Sequence, residues 1–279
     1  MTRRAAIAAV RRLGPGGLET DQDLVAVEAP LALIVEQPRH GGRRSLGLLM
    51  RTPGDDRDLV LGLLYAEGVI ARASDVTAFV LEPAEGDAPD RAIATLDERV
   101  TPDALPEARA LPMTSACGLC GRLALPAADR RPAASPDAPR LSTATIAALP
   151  ARLRQEQAVF DETGGLHAAA VFDAAGALQL VREDVGRHNA VDKAIGALLQ
   201  RGALPASNAV LAVSGRVAYE IVQKAAAAGV AAVVAVGAPT SLAVAAARAA
   251  SLTLVGFARD GRFNIYAGDA RVEDGAPTP

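Results

Sequence analysis

The chain has no tryptophan, only three tyrosines and five phenylalanines in 279 residues. Half of its residues are nevertheless apolar, so any core must be built mainly from alanine, valine and leucine. It carries little net charge, −3, and lacks the basic excess with which nucleic-acid-binding proteins neutralise phosphates. A long unbroken apolar run is also missing. The most apolar stretch lies between Ala225 and Ala258, but "VGAPTS" interrupts it and Arg248 follows. A membrane span should be one uninterrupted apolar helix. Near the N-terminus the run AAIAAV is six residues long and is closed by Arg11 and Arg12, too short for a secretory signal. Residues 1–22 read as a frayed basic tail. With no targeting segment, the expected compartment is the cytoplasm. There are two cysteines and three histidines, His40, His167 and His188. In a reducing compartment a close cysteine pair points to catalysis or metal binding rather than to a structural disulfide.

Both cysteines stand in "SACGLCGR", residues 115–122. Two thiolates three apart make half of a tetrahedral zinc site. The other half has no source: no further cysteine and no histidine pair at ligand spacing. A metal shared across a dimer stays open. A zinc nucleobase deaminase needs H-x-E before P-C-x-x-C. Here His167 is followed by AAA and His188 by NA, and the cysteines precede both. A thioredoxin-like dithiol belongs where a strand turns into a helix, so that the helix N-terminus lowers the thiol pKa. The flanks "ALPMTSA" and "GRLALPAADRRP" fit that context poorly. The last option is sulfur carriage, in which a thiolate accepts sulfane sulfur by the displacement chemistry of disulfide exchange. Gly118 and Gly121 leave room for it. Spacing alone does not separate sulfur carriage from redox work.

Along the chain, residues 23–112 read as a compact α+β unit. "LALIVE" (31–36), "DVTAFVLE" (75–82) and "RAIATLD" (91–97) are strands. "MRTPGDDRDLVLGLLYAEGVI" leads into a helix, with Pro53 in its first turn, Asp55 and Asp56 at its N-terminus and Gly68 at its end. Residues 113–140 hold the cysteine loop and a Pro-rich stretch that reads as a mobile linker. Residues 141–270 form an α/β unit. "HAAAVFD" and "ALQLVRE" make a hairpin. "DVGRHNAVDKAIGALLQRG" is a helix, capped by Asp184 and stopped by Gly202. "NAVLAVS", "VAAVVAV" and "LTLVGFA" are strands separated by the helices "GRVAYEIVQKAAAAG" and "TSLAVAAARAA", the latter capped by Thr240 or Ser241. This alternation indicates a parallel sheet flanked by helices. Residues 271–279 read as a second tail.

In such sheets ligands bind beyond the carboxyl ends of the strands. The segments expected there are "SGR" (214–216), "GAPTS" (237–241) and "ARDGRFNIYAG" (258–268). Helix N-termini and Arg216, Arg259 and Arg262 make that edge suited to anions. Ordinary strand-to-helix capping produces the same loops. Ser214 and Arg216 are the favoured ligand contacts. Asp184, Arg187, His188, Asn189, Asp192 and Lys193 either line the site or form a capped helix with an i,i+4 pair of His188 and Asp192. Tyr219, Glu220 and Lys224 read equally as helix packing and a surface pair. His167 is a turn, core or functional histidine.

Several strings together resemble a known family. They are "SACGLCG", "TGGLHAAA", "REDVGRHNAVDKAIG", "SGRVAYEIVQKAAAAGV" and "GAPTSLAVAAARAASLTLVGFARDGRFNIYAG", with "EAPLALIVE" near the start. In this order they are similar to the formate dehydrogenase accessory sulfurtransferases, the FdhD family, over most of Glu28–Gly268. The resemblance implies a cytidine-deaminase-like three-layer α/β domain behind a smaller α+β domain. It implies transfer of persulfide sulfur from a cysteine desulfurase to the molybdenum (or tungsten) bis(molybdopterin guanine dinucleotide) cofactor, which formate dehydrogenase then receives. Cys117 matches the persulfide position and Cys120 the second cysteine. Phe263, Asn264, Ile265, Tyr266, Ala267 and Gly268 match the segment assigned to the cofactor, with Ser214, Arg216 and His188 expected beside it. The expected assembly is a homodimer, with no structural metal, nucleic acid or membrane involved. The other reading is a module that binds or chaperones the guanine dinucleotide cofactor without sulfur chemistry.

Overall fold

The computed structural model describes residues 4–37, 42–86, 88–101 and 138–275, so Cys117, Cys120 and most of the Pro-rich stretch lie outside the described residues. The segment expected as an N-terminal tail is instead a hairpin of β1 (Ala5–Gly14) and β2 (Gly17–Ala26). Its residues alternate. Ile7 and Leu13 stand opposite Leu24 and Leu18 on one face, while Arg12 on the other pairs with Asp21 at 2.7 Å. Cross-strand pairs of this kind hold a two-stranded ribbon without a core beneath it, and Leu13 stays 76% exposed.

The next unit is a four-stranded sheet in the order β4-β3-β6-β5, made of β3 (Ala29–Gln37), β4 (Gly42–Arg51), β5 (Val76–Glu82) and β6 (Asp90–Leu96). Its helix α1 (Asp56–Ala66) starts where the acidic pair predicts. Asp56 does more than complement the helix end. One carboxylate oxygen accepts from Arg51 Nε at 2.7 Å, and the other from the Gly54 amide at 3.0 Å.

The second unit contains β7 (Leu141–Ser142), α2 (Thr143–Gln155), α3 (Ala158–Thr163), β8 (His167–Asp173), β9 (Leu178–Asp184), α4 (Arg187–Gln200), β10 (Ala209–Val213), α5 (Tyr219–Ala228), β11 (Ala232–Ala235), α6 (Ser241–Ala249), β12 (Thr253–Arg259), β13 (Arg262–Ala267) and β14 (Val272–Glu273). Its six-stranded sheet has the order β13-β12-β11-β10-β8-β9. Only β10, β11 and β12 run parallel; β8, β9 and β13 are antiparallel to their neighbours. The expected parallel sheet is thus the middle of a mixed one. "FNIYAG" is not a loop beyond the sheet. Its first five residues belong to the edge strand β13, returning from β12 through the turn at Asp260–Gly261. Val272 and Glu273 pair with Leu141 and Ser142, so the C-terminal stretch begins as a strand.

Two apolar layers sandwich the sheet. The smaller, beneath α2, gathers Ile146, Leu149, Phe172, Val210 and Val234. The larger runs without a break from Leu31 and Leu61 to Ile195, Val213 and Leu254, and so joins the two units. Helices α1 and α4 cross backbone against backbone there. A Cβ on Gly62 would sit 1.8 Å from the Asp192 carbonyl oxygen, and one on Gly196 would sit 1.9 Å from that of Asp58. Only glycine permits this approach.

Candidate functional site

The carboxyl ends of β10, β11 and β12 deliver Ser214, Val236 and the Ala258–Asp260 stretch to one edge of the sheet. Strand β8 runs the other way, so its first residue, His167, arrives at the same edge. Pro150, Leu153 and Arg154 of α2, Gln157, Phe160 of α3, and Gly164–Gly165 close over it. Together they line a cavity of about 600 Å³. This is where the α/β pattern places a ligand.

The floor is held by backbone bonds. Ser214 Oγ accepts from the Ala168 amide at 2.9 Å, and the Ser214 amide donates to the Ala168 carbonyl at 3.0 Å. The loops after β10 and β11 are stitched together by Gly237 N–H to Gly215 at 3.1 Å, Val217 N–H to Ala238 at 3.1 Å and Thr240 N–H to Val217 at 2.9 Å. A Cβ at Gly237 would lie 2.8 Å from the Gly215 oxygen, so glycine is needed for the two loops to touch. Thr240 caps α6, its hydroxyl accepting from the Ala243 amide at 3.3 Å.

His167 is half-buried at this edge. Burial first, and then the Arg187 charge, push its pKa below the ordinary value; Asp184 opposes and Arg216 adds to the lowering. At neutral pH it is an uncharged imidazole with one donor and one acceptor. The cations of the cavity are exposed: Arg154, whose guanidinium lies 4.8 Å from the centre of the Phe160 ring, and Arg259. The buried end is neutral, with Leu153, Gln157 and Leu166. The cavity therefore combines an apolar, aromatic interior with a mouth of mixed charge, where Arg154 pairs with Asp161 and Arg259 stands beside Asp260.

Of the residues expected at the site, Ser214 lines the cavity. Arg216 is exposed, two residues on. His188 is not among the lining residues. It is buried, with Nε2 3.2 Å from Glu220 Oε2, and it does not form the expected pair with Asp192. Phe263 packs against the smaller core, while Asn264 and Ile265 are exposed. Tyr266 packs on the larger core, and its carbonyl accepts from Arg248 at 3.2 and 3.3 Å. Ala267 is buried, and the Gly268 carbonyl accepts from Thr253 Oγ1 at 3.3 Å. None of these six lines the cavity: β13 runs away from the Arg259–Asp260 turn, so that Ala267 pairs with Leu254 and Gly268 lies against Thr253, at the amino end of β12.

The charged residues at the start of α4 do something the sequence did not disclose. Gly186, not Asp184, is the N-cap. Asp184 and Lys193 are both fully buried and lie 2.7 Å apart. Lys193 Nζ also donates to the Thr52 carbonyl at 2.9 Å. Asp184 accepts from the Thr52 amide at 3.1 Å, the Gly186 amide at 2.8 Å and Asn189 Nδ2 at 2.9 Å. Asn189 Nδ2 reaches the Met50 carbonyl at 2.8 Å. This network fastens the second unit to the first. Asp192 pairs with Lys224 at 2.6 Å, again buried, so Glu220 and Lys224 are not a surface pair. Burial outweighs Lys224 and raises the Asp192 pKa to about 6.

Sequence reasoning missed Gln157, Phe160 and Arg154, because α2 and α3 were not recognised. Their signals were present. Ser142 caps α2, accepting from the Thr145 amide at 3.0 Å, and Gly164 ends α3 with a φ of 67°. Pro150 inside α2 obscured the helical pattern.

A family model described as the FdhD/NarQ family matches residues 26–273. A protein of Streptomyces avermitilis named sulfur carrier protein FdhD is 44% identical over 270 residues, covering 94% of each chain. One of the same name from Anaeromyxobacter dehalogenans strain 2CP-1 is 46% identical over 268 residues, covering 90% of this chain and 89% of its own. A crystal structure described as a putative formate dehydrogenase accessory protein from Desulfotalea psychrophila superposes with a TM-score of 0.73 at 24% identity. It covers 97% of this chain and 100% of its own, and so shares the fold.

Proposed function

The chain belongs to the FdhD/NarQ family, and from that premise we propose that it carries sulfur in the maturation of formate dehydrogenase. Its cargo is the molybdenum (or tungsten) bis(molybdopterin guanine dinucleotide) cofactor, which it sulfurates as a substrate rather than keeping as its own. The names of its relatives and the C-G-L-C pair, Cys117 and Cys120, support the sulfur chemistry. One observation carries the binding half of the reading: a cavity at the carboxyl edge, apolar within and flanked by Arg154 and Arg259. A purine suits the interior and phosphates suit the arginines.

The chemistry is two displacements. The Cys117 thiolate attacks the terminal sulfur of a desulfurase persulfide, forming Cys117–S–S⁻ and releasing the desulfurase thiolate. The Cys120 thiolate then attacks Sγ of Cys117. A Cys117–Cys120 disulfide forms, and the terminal sulfur leaves with the bonding electron pair as sulfide, which the metal accepts. A cellular dithiol must reduce the disulfide before the next cycle. In this reading the protein works in the cytoplasm as a homodimer. The sheet order β9-β8-β10-β11-β12 supports a cytidine-deaminase-like description, with Ser214–Arg216 standing where a deaminase carries zinc-binding cysteines.

Intact-protein mass spectrometry after incubation with a cysteine desulfurase and cysteine tests this. The wild type and Cys120→Ser should gain a reductant-sensitive sulfur atom, and Cys117→Ser should not. No adduct on any form, with an active desulfurase, would leave a cofactor-binding module without sulfur chemistry.

A further inference from the structure

The short helix α3 carries Phe160 to the cavity. Little in its own sequence fastens it there. None of its six residues is buried, and the Gln157 side chain does not cap its first turn. Strand β2 lies alongside, with most of its residues exposed. The cap comes from β9. Glu183 turns both carboxylate oxygens to the helix: Oε2 accepts from the Val159 amide at 3.0 Å and Oε1 from the Phe160 amide at 2.9 Å. Hydrogen bonds to an ionised group are roughly twice as strong as neutral ones, and a helix N-terminus favours the negative charge. The anchor behind that carboxylate is firm. Glu183 is buried, stands opposite Ala168 in the sheet, and its carbonyl accepts from Lys193 Nζ at 3.3 Å. The next residue, Asp184, is bonded to the Thr52 amide. A fixed strand thus grips a helix that has no buried side chain of its own.

We infer that Glu183 is a positioning residue: it latches α3, and with it the Phe160 ring, over the cavity, and this latch sets how long a ligand stays inside. The inference rests on the nucleotide-binding reading above, but it concerns the lid and not the identity of the ligand. Glutamine at 183 is the sharpest perturbation. It keeps the size of the side chain, yet leaves one accepting oxygen where there were two and turns an amide donor toward the second N–H.

The test has two arms, both on the full chain. In the first, hydrogen exchange of the ligand-free protein is read by mass spectrometry. Glu183→Gln should speed exchange in 157–164 about tenfold, the effect of one lost charge-assisted hydrogen bond, and leave β8, β10 and β11 unchanged. In the second, release of a fluorescent GDP derivative is followed by stopped flow, and the same variant should release it about tenfold faster. Phe160→Ala, which leaves the latch intact, should speed release without changing exchange in α3. The double variant should release no faster than Phe160→Ala alone, because the latch acts through that ring. Unchanged exchange in 157–164 overturns the proposal. So does exchange that rises across the whole sheet, which is lost stability and not an opened lid. Faster exchange with unchanged release refutes the role in retention. A wild type that does not bind the nucleotide overturns the nucleotide-binding reading, and exchange alone then decides the latch.

Discussion

Replacing Gly62 by alanine tests how the two units are held together. Two effects oppose each other. In a helix interior alanine is favoured over glycine by about 1 kcal/mol, so an isolated α1 would gain. Here the new methyl would meet the Asp192 carbonyl oxygen at 1.8 Å, about half the 3.4 Å at which ordinary contact begins. The obstacle is helix backbone rather than a side chain that could swing aside. To accept the methyl, α1 must move off α4. That movement also strains the Gly196–Asp58 approach and the bonds from Lys193 and Asp184 to Thr52. Overpacking of a close-packed interior costs roughly 1–3 kcal/mol where side chains can adjust, and more is expected where they cannot. The net effect should be a loss of at least ~2 kcal/mol. Urea unfolding followed by circular dichroism would read it as a lower midpoint with an unchanged slope. Gly196→Ala should behave alike, and the double variant should lose less than the sum, because the first separation makes room for the second. A Gly62→Ala protein as stable as the wild type would refute the backbone contact, and with it the rigid coupling of the two units.

Other expectations follow from the buried charges. Lys193→Met strands Asp184 without its cation and should cost about 3–5 kcal/mol in urea unfolding, far more than loss of the exposed Arg140–Glu273 pair, which should cost under ~1 kcal/mol. Asp192 titrates at about 6 in the fold against 3.8 as a free side chain. Between those values the folded chain binds more protons than the unfolded one, so this group's contribution is full below pH 3.8 and is lost as the pH rises through about 6. The stability of the wild type over that window should fall more steeply with pH than that of Asp192→Asn; equal slopes would show that Asp192 titrates normally.

The middle of the second unit was legible because each of its strands is a short apolar run ended by a cap or a glycine. Thr240 at α6 and Gly202 after α4 stand where their residue types predict. What escaped has physical causes. The 5–26 hairpin has no core beneath it, so its alternation is weak and broken by arginines and aspartates. The motif from Asp184 to Lys193 reads as a ligand surface or as a capped helix with an i,i+4 pair. Its partners, Met50 and Thr52, stand more than 130 positions away in the chain, and no local pattern announces such a contact. The edge with Ser214 could be inferred from the strand-to-helix alternation. The lid over it is harder to read, because Pro150 interrupts the helical pattern of α2 between its Ser142 cap and Gly164.

The short pairing of Leu141–Ser142 with Val272–Glu273 has a practical side. The two strands run parallel, and the Gly275 amide reaches the Thr143 hydroxyl at 3.5 Å. The last described residues are thereby tied to the first turn of α2, the helix that carries Arg154 to the cavity. A chain cut before Val272 would lose that tie, and the start of α2 would open more readily.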